Sequence, residues 1–174
     1  WYKKNKINSS KIYQSYIKSL PLIEESYKTK IDGYLYYSQT SLKNEYSKYY
    51  RIFKKRKKLI LDVNKLAKNS KYFDVSGISP SRNHKYIAYG EDKTGRREFS
   101  IFIKDIRKNK IIEKNNCSST GKIIWNKDSS GYFYLKKDSK TLITNSLFFH
   151  KLGTNLKKDR LIYKEKDKQF NLSI

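Results

Sequence analysis

Hydrophobic positions along this chain fall into two regimes. From Ser9 to about Lys28 they recur at helical spacing: Ile12, Tyr16 and Leu20 share one face, with Tyr13 and Ile17 beside them. Ser9 or Ser10 is placed to cap the start, because a hydroxyl there accepts from an otherwise unpaired amide of the first turn. Pro21 interrupts the pattern and predicts a kink or two shorter helices. An apolar stripe of this kind predicts a helix packed on its own domain.

From Ile31 onward the period drops to two, and short apolar runs alternate with polar turns. Asp32-Gly33 is a turn signal before the strand Tyr34–Tyr37. Tyr46–Phe53 reads as a second strand, Lys54–Lys58 as a basic turn, Leu59–Asp62 as a third strand and Val63–Ala67 as one helical turn. A second unit opens at Ser79-Pro80. Its strand Tyr86–Tyr89 is followed by the polar turn Asp92–Gly95 and then by Glu98–Asp105. In that strand Phe99, Ile101 and Ile103 face one way and Ser100, Phe102 and Lys104 the other. Arg107–Lys110 is the next turn and Ile111–Glu113 the next edge.

A third unit repeats the second after about 46 residues, so that Ser79–Tyr89 aligns with Trp125–Leu135. Leu147–Leu152 matches the long alternating strand, and Arg160–Lys164 the outer edge. A period of about 40–50 residues with four strands per repeat predicts a β-propeller. The fold expected is mainly β: a partial propeller of about three four-stranded antiparallel blades behind an N-terminal α-helical segment. The boundaries expected are 1–30 for that segment and 31–174 for the propeller. Its blades would run roughly 31–75, 76–120 and 121–169, with another beginning at 170–174. Each blade covers its apolar faces only by stacking on neighbours. Three blades alone leave faces bare, so the chain is expected to be a portion of a larger protein, as its first residue, Trp1, also suggests.

Composition changes this picture little. Lys and Arg number 40 against 16 acidic residues, a formal net charge of +24, which ordinarily points to nucleic acid or an anionic membrane. The basic residues are mostly Lys and scattered, Gly and Pro are scarce, and Met is absent. Lys, Asn, Ile, Tyr and Phe belong to AT-rich codons, so genome drift accounts for the charge and argues against nucleic acid as the partner. No apolar run reaches the roughly 20 residues of a membrane span. The single cysteine, Cys117, excludes an intrachain disulfide framework, which fits the cytoplasm. It lies in the polar run Asn115–Ser119 and reads as an incidental loop thiol.

Catalytic chemistry is missing from the pattern. A serine nucleophile needs an oriented imidazole and an oxyanion hole, and its usual G-x-S-x-G turn is absent. Ser76-Gly77 and Ser130-Gly131 lack the preceding glycine. His84 and His150 have no matching nucleophile and are assigned to structure. No catalytic residue, metal ligand or cofactor site is expected in the chain.

The ordered series of strand motifs resembles the oligopeptidase B group within the prolyl oligopeptidase family of serine peptidases. It runs from Asp32–Tyr37 through Glu45-Tyr46, Tyr50-Arg51, Leu61–Asn64, Ala67, Tyr72-Phe73, Ile78–Pro80 and Ile87–Tyr89. It continues through Asp92–Phe99, Trp125–Asp128, Phe133-Tyr134 and His150–Thr154 to Asp159–Asp167. Trp1 falls at the tryptophan of the family's N-terminal segment. Lys48 and Ile143–Asn145 depart from the family pattern, which tends to a small or apolar residue and to Arg-Pro there. The resemblance implies a propeller that gates access to a C-terminal α/β-hydrolase domain in the same polypeptide. It also implies short peptides cut after Arg or Lys as substrates. Arg96, Arg97 and Glu98 form a charged cluster suited to the propeller face or the domain interface, although the simpler reading, a solvated turn with internal ion pairs, is preferred. Three other readings compete. One is a basic module binding nucleic acid or another polyanion, one an inactive truncated gene product, and one another propeller-bearing peptidase of the same clan.

Overall fold

The computed structural model describes residues 2–138 and 140–174, with side chains from Ser9 onward, so the expectation for Trp1 lies outside the described residues. The chain divides into two compact units, the first ending at Leu66 and the second running from Ala67 to Ile174.

In the first unit, α1 (Tyr2–Ser19) begins upstream of the expected caps, so Ser9 and Ser10 are mid-helix. Its last backbone bond joins the Leu20 amide to the Ile17 carbonyl. Pro21 then ends the helix rather than kinking it, since a proline supplies no amide to continue the ladder. The residues expected to extend the helix to Lys28 form β1 (Ile23–Glu25) instead. The expected apolar stripe is only partly covered: Ile17 and Leu20 are half-buried, while Ile12, Tyr13 and Tyr16 are each at least 60% exposed.

A sheet four strands wide follows. It contains β2 (Thr29–Ile31), β3 (Tyr34–Ser41), β4 (Lys48–Phe53) and β5 (Arg56–Asp62). Strands β1 and β2 share one edge of β3, pairing with its end and its beginning respectively. Asp32 and Gly33 both take positive φ, as a two-residue hairpin turn requires. Lys54 and Lys55 do the same, so the basic turn is confined to two residues and β5 starts at Arg56. Tyr37 is buried and stacks on Tyr50 at 5.4 Å, while the Lys57 ammonium sits 4.2 Å from the Tyr50 ring centre. The helical turn expected at Val63 is α2 (Val63–Ala67). Within it Asn64 accepts from the Tyr46 amide and donates to the Tyr46 carbonyl, which pins the β3–β4 connection.

The second unit is an uninterrupted antiparallel meander: β6 (Asp74–Pro80), β7 (Tyr86–Asp92), β8 (Phe99–Asp105), β9 (Lys110–Trp125), β10 (Gly131–Lys137), β11 (Thr144–Lys151) and β12 (Arg160–Lys164). The alternation expected in β8 is present, with Phe99, Ile101 and Ile103 buried and their neighbours half-buried. Strand β9 belongs to two four-stranded sets. Its first half pairs with β8 from Lys110 to Ser119, and its second half with β10 from Ser119 to Trp125. The handover is marked by positive φ at Ser118 and Gly121.

The two sets pack apolar faces into one core. Ala88, Ile101, Ile103 and Cys117 meet Ile123, Trp125, Tyr132 and Tyr134. The repeated turns touch as well, since Trp125 Nε1 donates to the Ser79 carbonyl and Ser129 Oγ accepts from the Asn83 amide. His84 and Ser129 occupy matching places in these turns, both at positive φ. Beyond β12, residues Phe170–Ile174 form no strand, and Leu172 donates its amide to the Thr144 carbonyl.

Candidate functional site

Two features of the second unit carry most of its polar chemistry: the β7–β8 loop and a buried histidine. The loop is built on Asp92, whose fully buried carboxylate accepts from the Thr94 amide (2.8 Å), the Thr94 hydroxyl (2.7 Å), the Gly95 amide (3.2 Å) and the Arg97 amide (2.7 Å). Burial pushes this carboxyl up, but the donors outweigh it and hold it below the usual carboxylate range. A depressed pKa contributes stability that is complete above the ordinary value, about 4, and is lost as pH falls through the lowered one. In Asp92→Asn the new NH2 faces donors it cannot satisfy. We expect a loss of about 1–3 kcal/mol in urea unfolding and a weaker acid dependence below about pH 4.

Arg96, Arg97 and Glu98 sit on this loop. Arg96 and Arg97 are exposed, and Glu98 is half-buried. Arg96 Nε lies 3.5 Å from Glu98 Oε2, while Glu98 Oε1 accepts from Ser118 Oγ at 2.6 Å. The Arg97 carbonyl accepts from Lys137 Nζ, the last residue of β10. Exposed ion pairs of this type contribute little to stability. The β7–β8 loop therefore lies at the same end of the meander as the β10–β11 connection.

At the other end, His150 is fully buried between two carboxylates. Its Nδ1 is 2.6 Å from Asp159 Oδ1, and its Nε2 is 3.1 Å from Glu113 Oε1. Glu113 Oε2 accepts from the Gly153 amide (2.7 Å) and Oε1 from Asn115 Nδ2 (2.9 Å). Asn115 Nδ2 also reaches Tyr132 Oη, and Tyr134 Oη donates to Asp159 Oδ2 at 2.8 Å. The cluster joins β9, β10, β11 and the Leu152–Asp159 connection. Both imidazole nitrogens face carboxylates, so neither is free to activate a hydroxyl or thiol.

Cys117 corrects the expectation of a loop thiol. It lies within β9, 5% exposed, where burial pushes its thiol up to about 11. A thiol held protonated at neutral pH is a poor nucleophile. The run Asn115–Ser119 reads as polar yet alternates: Asn115, Cys117 and Ser119 are buried, and their side chains find partners inside. Among the described residues no cluster of His, Cys, Asp and Glu is arranged to hold a metal ion. No helix among them is long and apolar enough to cross a membrane.

Antiparallel four-stranded sets that repeat along the chain and share apolar faces define a partial β-propeller. Residues 3–174 match the family model described as prolyl oligopeptidase, N-terminal beta-propeller domain, and the chain belongs to that family. Among curated proteins it is 30% identical over 116 residues to a dipeptidyl aminopeptidase BI of Pseudoxanthomonas mexicana, covering 67% of this chain and 16% of that protein. It is 26% identical to Protease 2 of Moraxella lacunata, covering 95% of this chain and 25% of that one. Among solved structures it superimposes on oligopeptidase B from Leishmania major with a TM-score of 0.84 at 26% identity, covering 93% of this chain and 24% of that chain. Oligopeptidase B from Trypanosoma brucei, in a closed form with covalently bound antipain, shares the fold at a TM-score of 0.82 and 24% identity, over 97% of this chain and 24% of that one. The chain thus spans a quarter or less of the length of these relatives.

Sequence reasoning placed His150 in structure but missed both of its carboxylates. Asp159 was readable as the start of the last motif block, and Glu113 only as the end of a strand edge. Neither position signals a buried ion cluster until β9 is seen as one strand.

Proposed function

We propose that this chain is the propeller portion of an oligopeptidase B-like serine peptidase that hydrolyses short peptides after Arg or Lys. In this reading an α/β-hydrolase domain of the same polypeptide supplies the catalytic serine, aspartate and histidine. The propeller admits short peptides to that domain and keeps folded proteins out. The observation that carries the reading is the match to oligopeptidase B of Leishmania major across 93% of the chain, supported by the match to Protease 2. Arg96, Arg97 and Glu98 are assigned to the boundary with the hydrolase domain, on the strength of the exposed Arg96 and Arg97 side chains in this loop. Buried Cys117 as the single thiol suits a reducing cytoplasmic setting.

The test uses the intact protein and three substrates: a short peptide with Arg before the scissile bond, the same peptide with Pro there, and a folded protein displaying the Arg sequence on a loop. The expected result is a kcat/KM at least about 100-fold higher for the Arg peptide than for the Pro peptide, with the folded protein uncut. Labelling by a serine-directed fluorophosphonate should abolish turnover. A preference for Pro would move the protein to another branch of the family. Failure to react with the fluorophosphonate would end the peptidase reading.

A further inference from the structure

The histidine cluster lies apart from any residue assigned to substrate, and its geometry has a consequence of its own. Three separate elements converge on the ring. Glu113 comes from β9, Asp159 from the end of the Leu152–Asp159 connection, and Tyr132 from β10 with its ring centre 5.1 Å away. Tyr134 on β10 stands behind Asp159, and Cys117 on β9 completes the titratable groups around the site. Glu113 also holds the connection directly through the Gly153 amide.

Such a ring has only one arrangement that satisfies both carboxylates. The imidazolium carries a proton on each nitrogen: Nδ1 hydrogen-bonds Asp159, while Nε2 lies 3.1 Å from Glu113 Oε1 without an aligned hydrogen bond and is held by charge attraction. A neutral imidazole carries a single N–H and must turn a lone pair toward the other carboxylate. The two largely buried carboxylates then share a single donor from the ring, and desolvation makes the mismatch costly.

We propose that His150 is a proton-operated clamp: as the imidazolium it ties the Leu152–Asp159 connection to β9, and on losing its proton it lets that connection come away. The exposed end of the meander between β9 and β11 then opens at alkaline pH while the shared core stays closed.

The direction follows from both partners. Burial works against the charged ring, but the bonds to Glu113 and Asp159 outweigh it and raise His150 above its ordinary value. Burial likewise pushes Glu113 up, and His150 with the Gly153 amide outweighs it and lowers it. A raised histidine contributes stability that is complete below its ordinary value, about 6.5, and is lost as pH rises through the raised one. A lowered glutamate contributes stability that is lost only as pH falls below its ordinary value, about 4.3. The clamp therefore holds from the mild acid range upward and releases on the alkaline side.

Hydrogen exchange read by mass spectrometry on the intact protein tests this. The peptide spanning Leu152–Asp159 is followed from about pH 6 to about pH 10, after correction for the intrinsic pH dependence of exchange, with β7 as the internal reference. The expected result is a fall of about tenfold or more in the protection of that connection, in one proton step, while β7 is unchanged. His150→Gln, neutral throughout, should show no step and stay at the low, alkaline level. Glu113→Gln removes one carboxylate and should move the step to lower pH. Should His150→Gln not fold, Glu113→Gln decides alone. A flat profile in the unmodified protein overturns the clamp, as does a step that survives in His150→Gln or fails to move in Glu113→Gln.

Discussion

Alanine at Gly77 is expected to lower the unfolding free energy by at least about 4 kcal/mol, a large part of what holds an ordinary domain together. A Cβ there would fall 2.0 Å from the Gly121 carbonyl oxygen and 2.6 Å from the Lys122 Cα, both backbone atoms. No rotamer change relieves such an overlap, so β6 and β9 must move apart. Gly90 adds to the same junction, since its Cβ would lie 2.5 Å from the Gly121 Cα. Gly77 also holds φ at +64°, where an L side chain is strained independently of space. Gly153→Ala separates the two contributions, because Gly153 has a similar φ of +76° and nothing within 4 Å. It should cost only about 1 kcal/mol. Urea unfolding of the two variants checks the difference, and equal losses would show that strain rather than close approach governs this junction.

The next largest effect belongs to Trp125→Ala, with an expected loss of about 3–5 kcal/mol. The indole is 5% exposed at the end of β9 and lies in the core shared by the two four-stranded sets. It stacks on Tyr86 at 6.3 Å, meets Tyr132 edge-on at 5.9 Å and donates to the Ser79 carbonyl. Removing it therefore strips one contact from each of three strands. Trp125→Phe keeps most of the buried area and loses the hydrogen bond, and should cost about 1–2 kcal/mol. Thermal denaturation followed by tyrosine fluorescence measures both. A cost for Trp125→Ala no larger than for Trp125→Phe would mean that the hydrogen bond, not the packing, matters here.

Where one face of an element is buried and the other is wet, the chain announced it. The alternation of Phe99, Ile101 and Ile103 survives directly as the burial pattern of β8, and the repeat of Ser79–Tyr89 in Trp125–Leu135 reappears as two touching turns. The illegible parts had two physical causes. In β9, Asn115 and Ser119 are buried polar residues whose partners lie on other strands, so local hydrophobicity made a strand look like a loop. Near the N-terminus, Ile23–Glu25 is a three-residue strand exposed throughout, held by backbone pairing to β3 that no periodicity reveals. The histidine cluster was hidden for the first of these reasons, because a buried ion pair is defined by residues that only the assembled sheet brings together. Family membership was legible because it rests on the order of many weak motifs, which local errors at β1 and β9 leave intact.

The continuity of β9 also bears on how such a protein is recombined. Because one strand closes the outer edge of one set and opens the inside of the next, the sequence period and the transferable module are out of phase. A cut near Ser119 severs a strand in mid-ladder and leaves both products with an unpaired edge. A cut in the turn of residues 126–130, where Lys127, Asp128 and Ser130 are exposed and Ser129 is buried, passes between β9 and β10, and each product keeps its strands whole. Shuffling or circular permutation of this chain will succeed at the turns that join strands within a set, and fail at the seam where one repeat gives way to the next.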